Sequence, residues 1–255
     1  MENILQGVPG DVMATVAIAE IPDRLSPVEV EERLMRRGWL TETSPGFRRQ
    51  ILGMSRQLAV KRGQRLFAFG DPPGGMYAVL SGGIGMEGCT HVHPLRLAHV
   101  VREGGWFGHG PTLGNLTRSL GSRALEDSRV LLVPLPPLTA WINADAEAAR
   151  LVGELADRNT QLLTQIISDL LIPDAGQRAA AVLLRVSGAL GGVKPSHPDG
   201  CLLTQSELGE MANVSRHHVN RLLGQFAEQG WIAKSYNRLR LLDVKALAAF
   251  AFGED

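Results

Sequence analysis

Residues 204–232, TQSELGEMANVSRHHVNRLLGQFAEQGWI, carry two helix starts separated by one turn. Thr204 and Glu207 have capping-box spacing: the threonine oxygen accepts from the N3 amide, and the glutamate reaches back to the Thr204 N–H. Asn213 is a residue type that tolerates the left-handed conformation of a tight turn. Ser215 caps a second helix, whose buried stripe is Val219, Leu222, Leu223 and Phe226 and which Gly230 ends. This pattern predicts a helical hairpin. Arg216, His217, Asn220 and Arg221 then stand at i, i+1, i+4 and i+5, on one face of the first two turns. Arginine matches guanine O6/N7 and asparagine matches adenine N6/N7, each through two bonds. A histidine donates to guanine N7 or to a phosphate. WIAKSYNRLRLLD reads as a strand pair turning at Tyr236-Asn237, a wing that offers Lys234, Arg238 and Arg240 to phosphates. Asp243 caps a last helix, VKALAAFAF. The plainer reading is a helical hairpin with a solvated polar face. From 203 to 241, five basic residues (Arg216, Arg221, Lys234, Arg238, Arg240) face three acidic ones (Glu207, Glu210, Glu228), a net +2. That is low for a strong nonspecific DNA binder, but a dimer doubles its contacts.

Composition excludes more than it selects. The 255 residues are 44% hydrophobic and 20% charged, with formal net charge zero, as in a globular protein with no overall bias toward nucleic acid. The two cysteines, Cys89 and Cys201, make neither a disulfide framework nor a four-cysteine zinc or iron–sulfur site. No apolar run reaches membrane-spanning length, and the first residues lack the pattern of a secretory signal. The expectation is a soluble cytoplasmic protein without a membrane partner. No nucleophile–base constellation, Walker loop or metal-hydrolase spacing is present, so an enzyme is not expected.

Upstream, residues 1–25 show no clear period. Ser26-Pro27 and Ser44-Pro45 open two helices, VEVEERLMRR and FRRQILGMSRQL. From about 57 to 136 short apolar runs (LAV, RLFAF, MYAVL, IGM, LRLAHVV, SRVLLVPL) are broken by glycines, which predicts an antiparallel barrel or roll. Within it, Cys89, His91 and His93 alternate in CTHVH and would share a strand face; a metal takes such ligands, though a hairpin tip explains them too. His91, His93, His99 and His109 are nominal haem ligands only. From about 138 to 171 Leu151, Leu155, Leu162, Ile166 and Leu170 recur at helical spacing. A helix that long is expected to pack against a second copy, with Asn159 near the seam to set register. Pro173 stops it. Asp174 caps AGQRAAAVLLRVSGAL, which Gly191-Gly192 are expected to close.

The stretch LTQSELGEMANVSRHHVNRLLGQFAEQGWI resembles the helix-turn-helix of the CRP/FNR family of bacterial transcription regulators. The order of a roll, a long helix and a winged helix fits the same family over roughly residues 41–250. The fold class expected is α+β: an N-terminal antiparallel β-roll of cyclic-nucleotide-binding type, a long dimerisation helix and a C-terminal winged helix-turn-helix. The corresponding segments are an N-terminal extension (1–40), the roll (41–137), the dimerisation helix (138–172) and the DNA-binding domain (173–255). The resemblance implies a homodimer with two recognition helices in successive major grooves of a near-palindromic DNA site, and RNA polymerase as a further partner for an activator. Ser215, Arg216, Val219 and Arg221 fit the family's recognition pattern. His217 stands where a base-reading glutamate is usual, so the family's usual half-site is not transferred. Arg216, His217, Asn220 and Arg221 are expected to read bases, and Thr204, Arg238 and Arg240 to hold phosphates.

In the roll, RGQRLFAFGDPPGGMYAVLSGGIGM is similar to the family's strand–turn pattern and FGHGPTLGNLTRSLGSRAL to its phosphate-binding cassette. Amides after Gly108, with Arg118 and Ser119, can hold an anion. His109 occupies the place of the glutamate that bonds ribose in nucleotide-binding members. Leu163 and Thr164 match the polar residues that reach the base, and only Thr164 is polar. Gly108, His109, Arg118, Ser119 and Thr164 are thus the effector-site candidates. The effector is left unnamed: a cyclic nucleotide, another ligand or none, with no iron–sulfur cluster expected. Arg118 has a second reading, tying the roll together through backbone carbonyls. The function expected is a homodimeric transcription regulator whose roll senses a signal. The alternative is a ligand-binding signalling module whose winged helix makes protein contacts.

Overall fold

The structure, a computed structural model, describes residues 24–90, 93–114, 116–189 and 200–253. The first 23 residues, the side chains of the CTHVH alternation and Gly191-Gly192 lie outside the described residues. The chain forms two compact units. One takes residues up to Arg96 and Val101–Val152; the other takes Leu97–Val100 and Gly153 onward.

The first unit opens on α1 (Pro27–Leu34), where Ser26 and Glu29 close a full capping box. A 3₁₀ turn (Trp39–Glu42) and α2 (Pro45–Gly53) follow, the latter capped by Ser44. These elements are anchored, not loose. Trp39 meets Phe47 and Trp106 edge-on at 5.4 and 5.3 Å. Arg33 donates to the Leu80 carbonyl and Arg37 to that of Glu103. The part of the N-terminal extension from residue 24 onward therefore braces the roll.

Among the described residues, seven strands build that roll: β1 (Arg56–Val60), β2 (Gly75–Ser81), β3 (Gly83–Thr90), β4 (His93–Arg102), β5 (Trp106–Phe107), β6 (Gly121–Ala124) and β7 (Ser128–Pro134). They form one sheet of order β1-β7-β2-β5 and another of order β4-β3-β6. Leu58, Val60, Phe67, Tyr77, Val79, Ile84, Phe107, Val130 and Leu132 share the core. The run RLFAF, expected as a strand, is not one. Phe67 instead exchanges bonds with Ser122: its amide donates to the hydroxyl, and its carbonyl accepts from the Ser122 amide at 3.0 Å. Gly63, Gln64 and Phe67 thus bond β6 along an irregular path, while the Ala68 amide turns to the Asp71 carboxylate, and β5 and β6 themselves are too short to read as apolar runs.

The segment expected as one helix from about 138 is two. α4 (Leu135–Ala144) ends at Asp145, which is extended. The Asp145 carboxylate accepts from the amides of Glu147 and Ala148 and starts α5 (Ala146–Leu171). The expected stripe also divides: Leu151, Leu155 and Ile166 are buried within the protomer, Leu162 is half-buried and Leu170 is 44% exposed, and beside the stripe Leu163, Ile167 and Leu171 are exposed by 47, 59 and 75%.

In the second unit α6 (Ala175–Ser187), capped by Asp174, closes at Gly188 in the left-handed conformation, ahead of the expected glycine pair. The remaining elements are β8 (Cys201–Leu202), α7 (Gln205–Ala212), α8 (Arg216–Glu228), β9 (Ile232–Ser235), β10 (Arg238–Leu241) and α9 (Val244–Phe252). The sheet order is β8-β10-β9. Phe226, Trp231 and Phe250 have ring centroids 5.2–5.8 Å apart and lock α8 to the wing and α9. Arg185 on α6 donates to Asp169 at 2.6 Å, with both side chains nearly inaccessible, and this pair binds the end of α5 to α6.

Candidate nucleic-acid interface

The turn between α7 and α8 fixes how the second helix is presented. Thr204 and Glu207 make both bonds of the capping box, at 3.1 and 2.8 Å. Asn213 adopts φ 50°, ψ 51° and ends α7. The Val214 amide then bonds the Gly209 carbonyl at 2.9 Å. The chain passes so close here that a Cβ on Gly209 would stand 2.5 Å from the Val214 carbonyl oxygen, so only glycine fits. Ser215 accepts from the His218 amide and starts α8.

On α8, Val219, Leu222, Leu223 and Phe226 are buried and Arg216, His217, Asn220 and Arg221 are exposed. The division follows the 3.6-residue period, with the buried stripe turning inward and the four polar side chains outward. Asn220 is not isolated: Gln205 Nε2, from the first turn of α7, donates to its Oδ1 at 2.8 Å. Gln205 was not singled out from the sequence, because its partner lies in another helix. Arg178 was missed for the same reason. From α6 it donates to the carbonyls of Ala212, Ile172 and Pro173, so it supplies the donor that the end of α7 lacks.

Beside the start of α8 and the wing lies a cleft of about 380 Å³, lined in part by Thr204, Gln205, Ser206, Arg216, Lys234 and Arg238. Of the expected phosphate holders it gathers Thr204 and Arg238 with Arg216. Arg238 is half-buried and also donates to the Gly200 carbonyl at 3.3 Å. Arg240 is exposed and does not line the cleft. The strands turn at Tyr236-Asn237, with Asn237 at φ 54° and Tyr236 fully out in solvent.

The cassette in the roll is arranged in the opposite sense. Gly108 has φ +80°, and α3 (Gly110–Gly114) follows it. Arg118 is buried. Its Nη1 donates to the Gly108 carbonyl at 2.7 Å and its Nη2 to the Gly75 carbonyl at 2.8 Å. Its guanidinium lies 4.2 Å from the centroid of the Phe67 ring. Gly75 belongs there by necessity: at φ +144°, a Cβ would meet the Val133 carbonyl oxygen at 2.4 Å. Burial lowers the Arg118 pKa, and it raises that of Tyr77. Burial, and secondly the charge of Arg118, hold His109 below the ordinary histidine value. Ser119 is exposed. Thr164 is exposed on α5, its hydroxyl donating to the Thr160 carbonyl at 3.1 Å. Of the two roles open to Arg118, the carbonyl tie is the one its hydrogen bonds make. Among the described residues no group of three or more His, Cys, Asp or Glu is placed to hold a metal ion, and no helix is long and apolar enough to cross a membrane.

A roll followed by a long helix and a winged helix-turn-helix defines a class of two-part DNA-associated regulators, and comparison with known proteins agrees. A cyclic nucleotide-binding domain model matches residues 57–145, and a Crp-like helix-turn-helix model matches 177–250. The chain is 24% identical over 227 residues to a CRP-like cAMP-activated global transcriptional regulator of Mycobacterium tuberculosis, covering 86% of this chain and 98% of that protein. It is 29% identical over 178 residues to the transcriptional regulator SdrP of Thermus thermophilus, covering 69% of this chain and 83% of that one. Among solved structures, FixK2 from Bradyrhizobium japonicum has a TM-score of 0.68 at 17% identity, covering 77% of this chain and 96% of that one, a likeness of fold. This chain is a member of the CRP/FNR family of transcription regulators.

Proposed function

We propose that this transcription regulator acts as a homodimer that reads a near-palindromic DNA site through α8, with the roll biasing that activity through α5. The observation that carries this reading is the outward set Arg216, His217, Asn220 and Arg221 on the first two turns of a rigidly capped helix. Thr204, Lys234, Arg238 and Arg240 supply the phosphate contacts that set register without reading sequence. Leu163, Ile167 and Leu170 stand at i, i+4 and i+7 and are exposed. That is coiled-coil spacing, and a second copy of α5 is its occupant. The Asp169–Arg185 pair is the mechanical link from α5 into the winged helix. When the regulator activates, RNA polymerase is the further partner. The M. tuberculosis relative is described as cAMP-activated. In this chain Arg118 already bonds two carbonyls of its own roll, and we take DNA binding here to be independent of a cyclic nucleotide.

The test is selection of binding sites from a random duplex library with purified protein and no added ligand. The expected result is a palindrome with half-sites about one helical turn, roughly 10 bp, apart. Absence of enrichment both without and with cyclic nucleotides would reject the reading. In sedimentation, Ile167→Lys is expected to shift the protein toward monomer.

A further inference from the structure

Resting on the DNA-reading role of α8, we infer that Gln205 and Asn220 form one base-reading unit, with Gln205 setting which way the Asn220 carboxamide faces and the unit selecting adenine at one position of each half-site. A lone asparagine on a recognition helix is ambiguous. Its amide can turn over, exchanging the oxygen and the nitrogen at the same place, and each orientation presents a different order of donor and acceptor. Reading adenine in bidentate fashion needs one order: the oxygen accepts from N6 while the nitrogen donates to N7. Here Gln205 Nε2 donates to Asn220 Oδ1 at 2.8 Å. An amide oxygen has two acceptor sites and an amide nitrogen two donors. One Oδ1 acceptor site taken by Gln205 leaves the other, together with both Nδ2 hydrogens, for a base. While Gln205 donates, the Asn220 amide stands in the adenine order before DNA arrives.

The two backbones that carry this bond are independently fixed. Gln205 is the first residue of α7, directly after the Thr204 capping box. Asn220 lies one turn beyond Arg216, with Val219 fully buried beside it. Arg178 holds the far end of α7. Two helix starts thus hold two amides at hydrogen-bond distance on the exposed side of the motif. Pinning the side chain in advance also lowers the ordering cost of binding. Gln205 is a positioning residue in this scheme. Its contribution appears in which base is chosen, not in the stability of the fold.

The experiment is binding-site selection with wild type, Gln205→Ala, Asn220→Ala, the double variant and Gln205→Glu, each checked for an unchanged melting temperature. Wild type is expected to select adenine at one position of the half-site. Gln205→Ala and Asn220→Ala are both expected to lose about tenfold discrimination at that same position, and the double variant to lose no more than Asn220→Ala alone. Gln205→Glu offers only acceptors, so it turns the Asn220 amide over. It is expected to change the preferred base there, beside a uniform weakening from its charge. Failure of wild type to enrich any palindrome would remove the DNA-reading role itself. A wild-type palindrome that Gln205→Ala leaves unaltered, or alters at a different position from Asn220→Ala, would overturn the paired reading alone. Should Gln205→Ala melt early, Gln205→Glu decides the matter: an unchanged base preference overturns the pairing.

Discussion

Arg118 in the roll and Arg216 on α8 are the same side chain used in opposite ways. Arg118 is buried over Phe67, with two of its N–H groups bonded to the Gly108 and Gly75 carbonyls. Arg216 is exposed at the mouth of a polar cleft. A buried guanidinium whose donors are bonded to the protein's own backbone holds that backbone together. An exposed one offers its donors to a partner. The roll of this regulator is thus consolidated from within at the place where its family resemblance implied an effector, and the winged helix keeps its polar groups facing outward. Arg185 is a third case, a buried arginine answered by a carboxylate.

These three arginines order the expected effects. Asp169→Ala leaves Arg185 buried without its carboxylate and is expected to cost about 3–5 kcal/mol, measured by urea unfolding. A cost below about 1 kcal/mol would mean that the pair does not hold α5 to α6. Arg118→Met leaves the Gly108 and Gly75 carbonyls short of a donor and is expected to cost about 3 kcal/mol, with cyclic nucleotide leaving DNA affinity unchanged in wild type. If Arg118→Met were neutral for stability and wild type gained affinity with cyclic AMP, the contrast between the two ends of the molecule would collapse. Arg216→Ala is expected to change stability by less than about 0.5 kcal/mol while weakening the selected site by about 1–3 kcal/mol, with relaxed preference at one base pair. Equal weakening on all sequences would make Arg216 a phosphate holder.

The smallest effect is with pH. His109 has a folded pKa below its ordinary 6.5, first through burial and then through Arg118. As pH falls through 6.5 the unfolded chain takes up a proton that the folded roll refuses, so stability declines toward acid and is recovered above. His109→Gln is expected to flatten melting temperature between about pH 6.5 and pH 5. Asp145, Asp127 and Glu29 also have lowered values, chiefly because hydrogen bonds favour their charged forms. Their contribution is lost only on falling below the ordinary carboxylate range, which separates the two windows.

What could be read along the chain was local. Ser26, Ser44, Asp174, Thr204, Ser215 and Asp243 were all legible as caps, and each accepts from an amide three residues on. Asn213 and Asn237 were legible as turn residues, and both take positive φ. The polar face of α8 followed from helical period alone. RLFAF failed as a strand because the backbone partner of Phe67, Ser122, lies far along the chain, and alternation cannot say whether a partner strand arrives in register.

Caps, turns and helix faces depend on neighbours within about four residues, and such geometry is written in the spacing of residue types. The roles of Arg118, Asp169 and Gln205 depend on Gly75, Arg185 and Asn220, which are 43, 16 and 15 residues away. Whether a charged or amide group is turned inward to its own protein or outward to a ligand is decided by which distant groups the fold brings within hydrogen-bond reach, because desolvation makes an unmatched group costly and a matched one rigid.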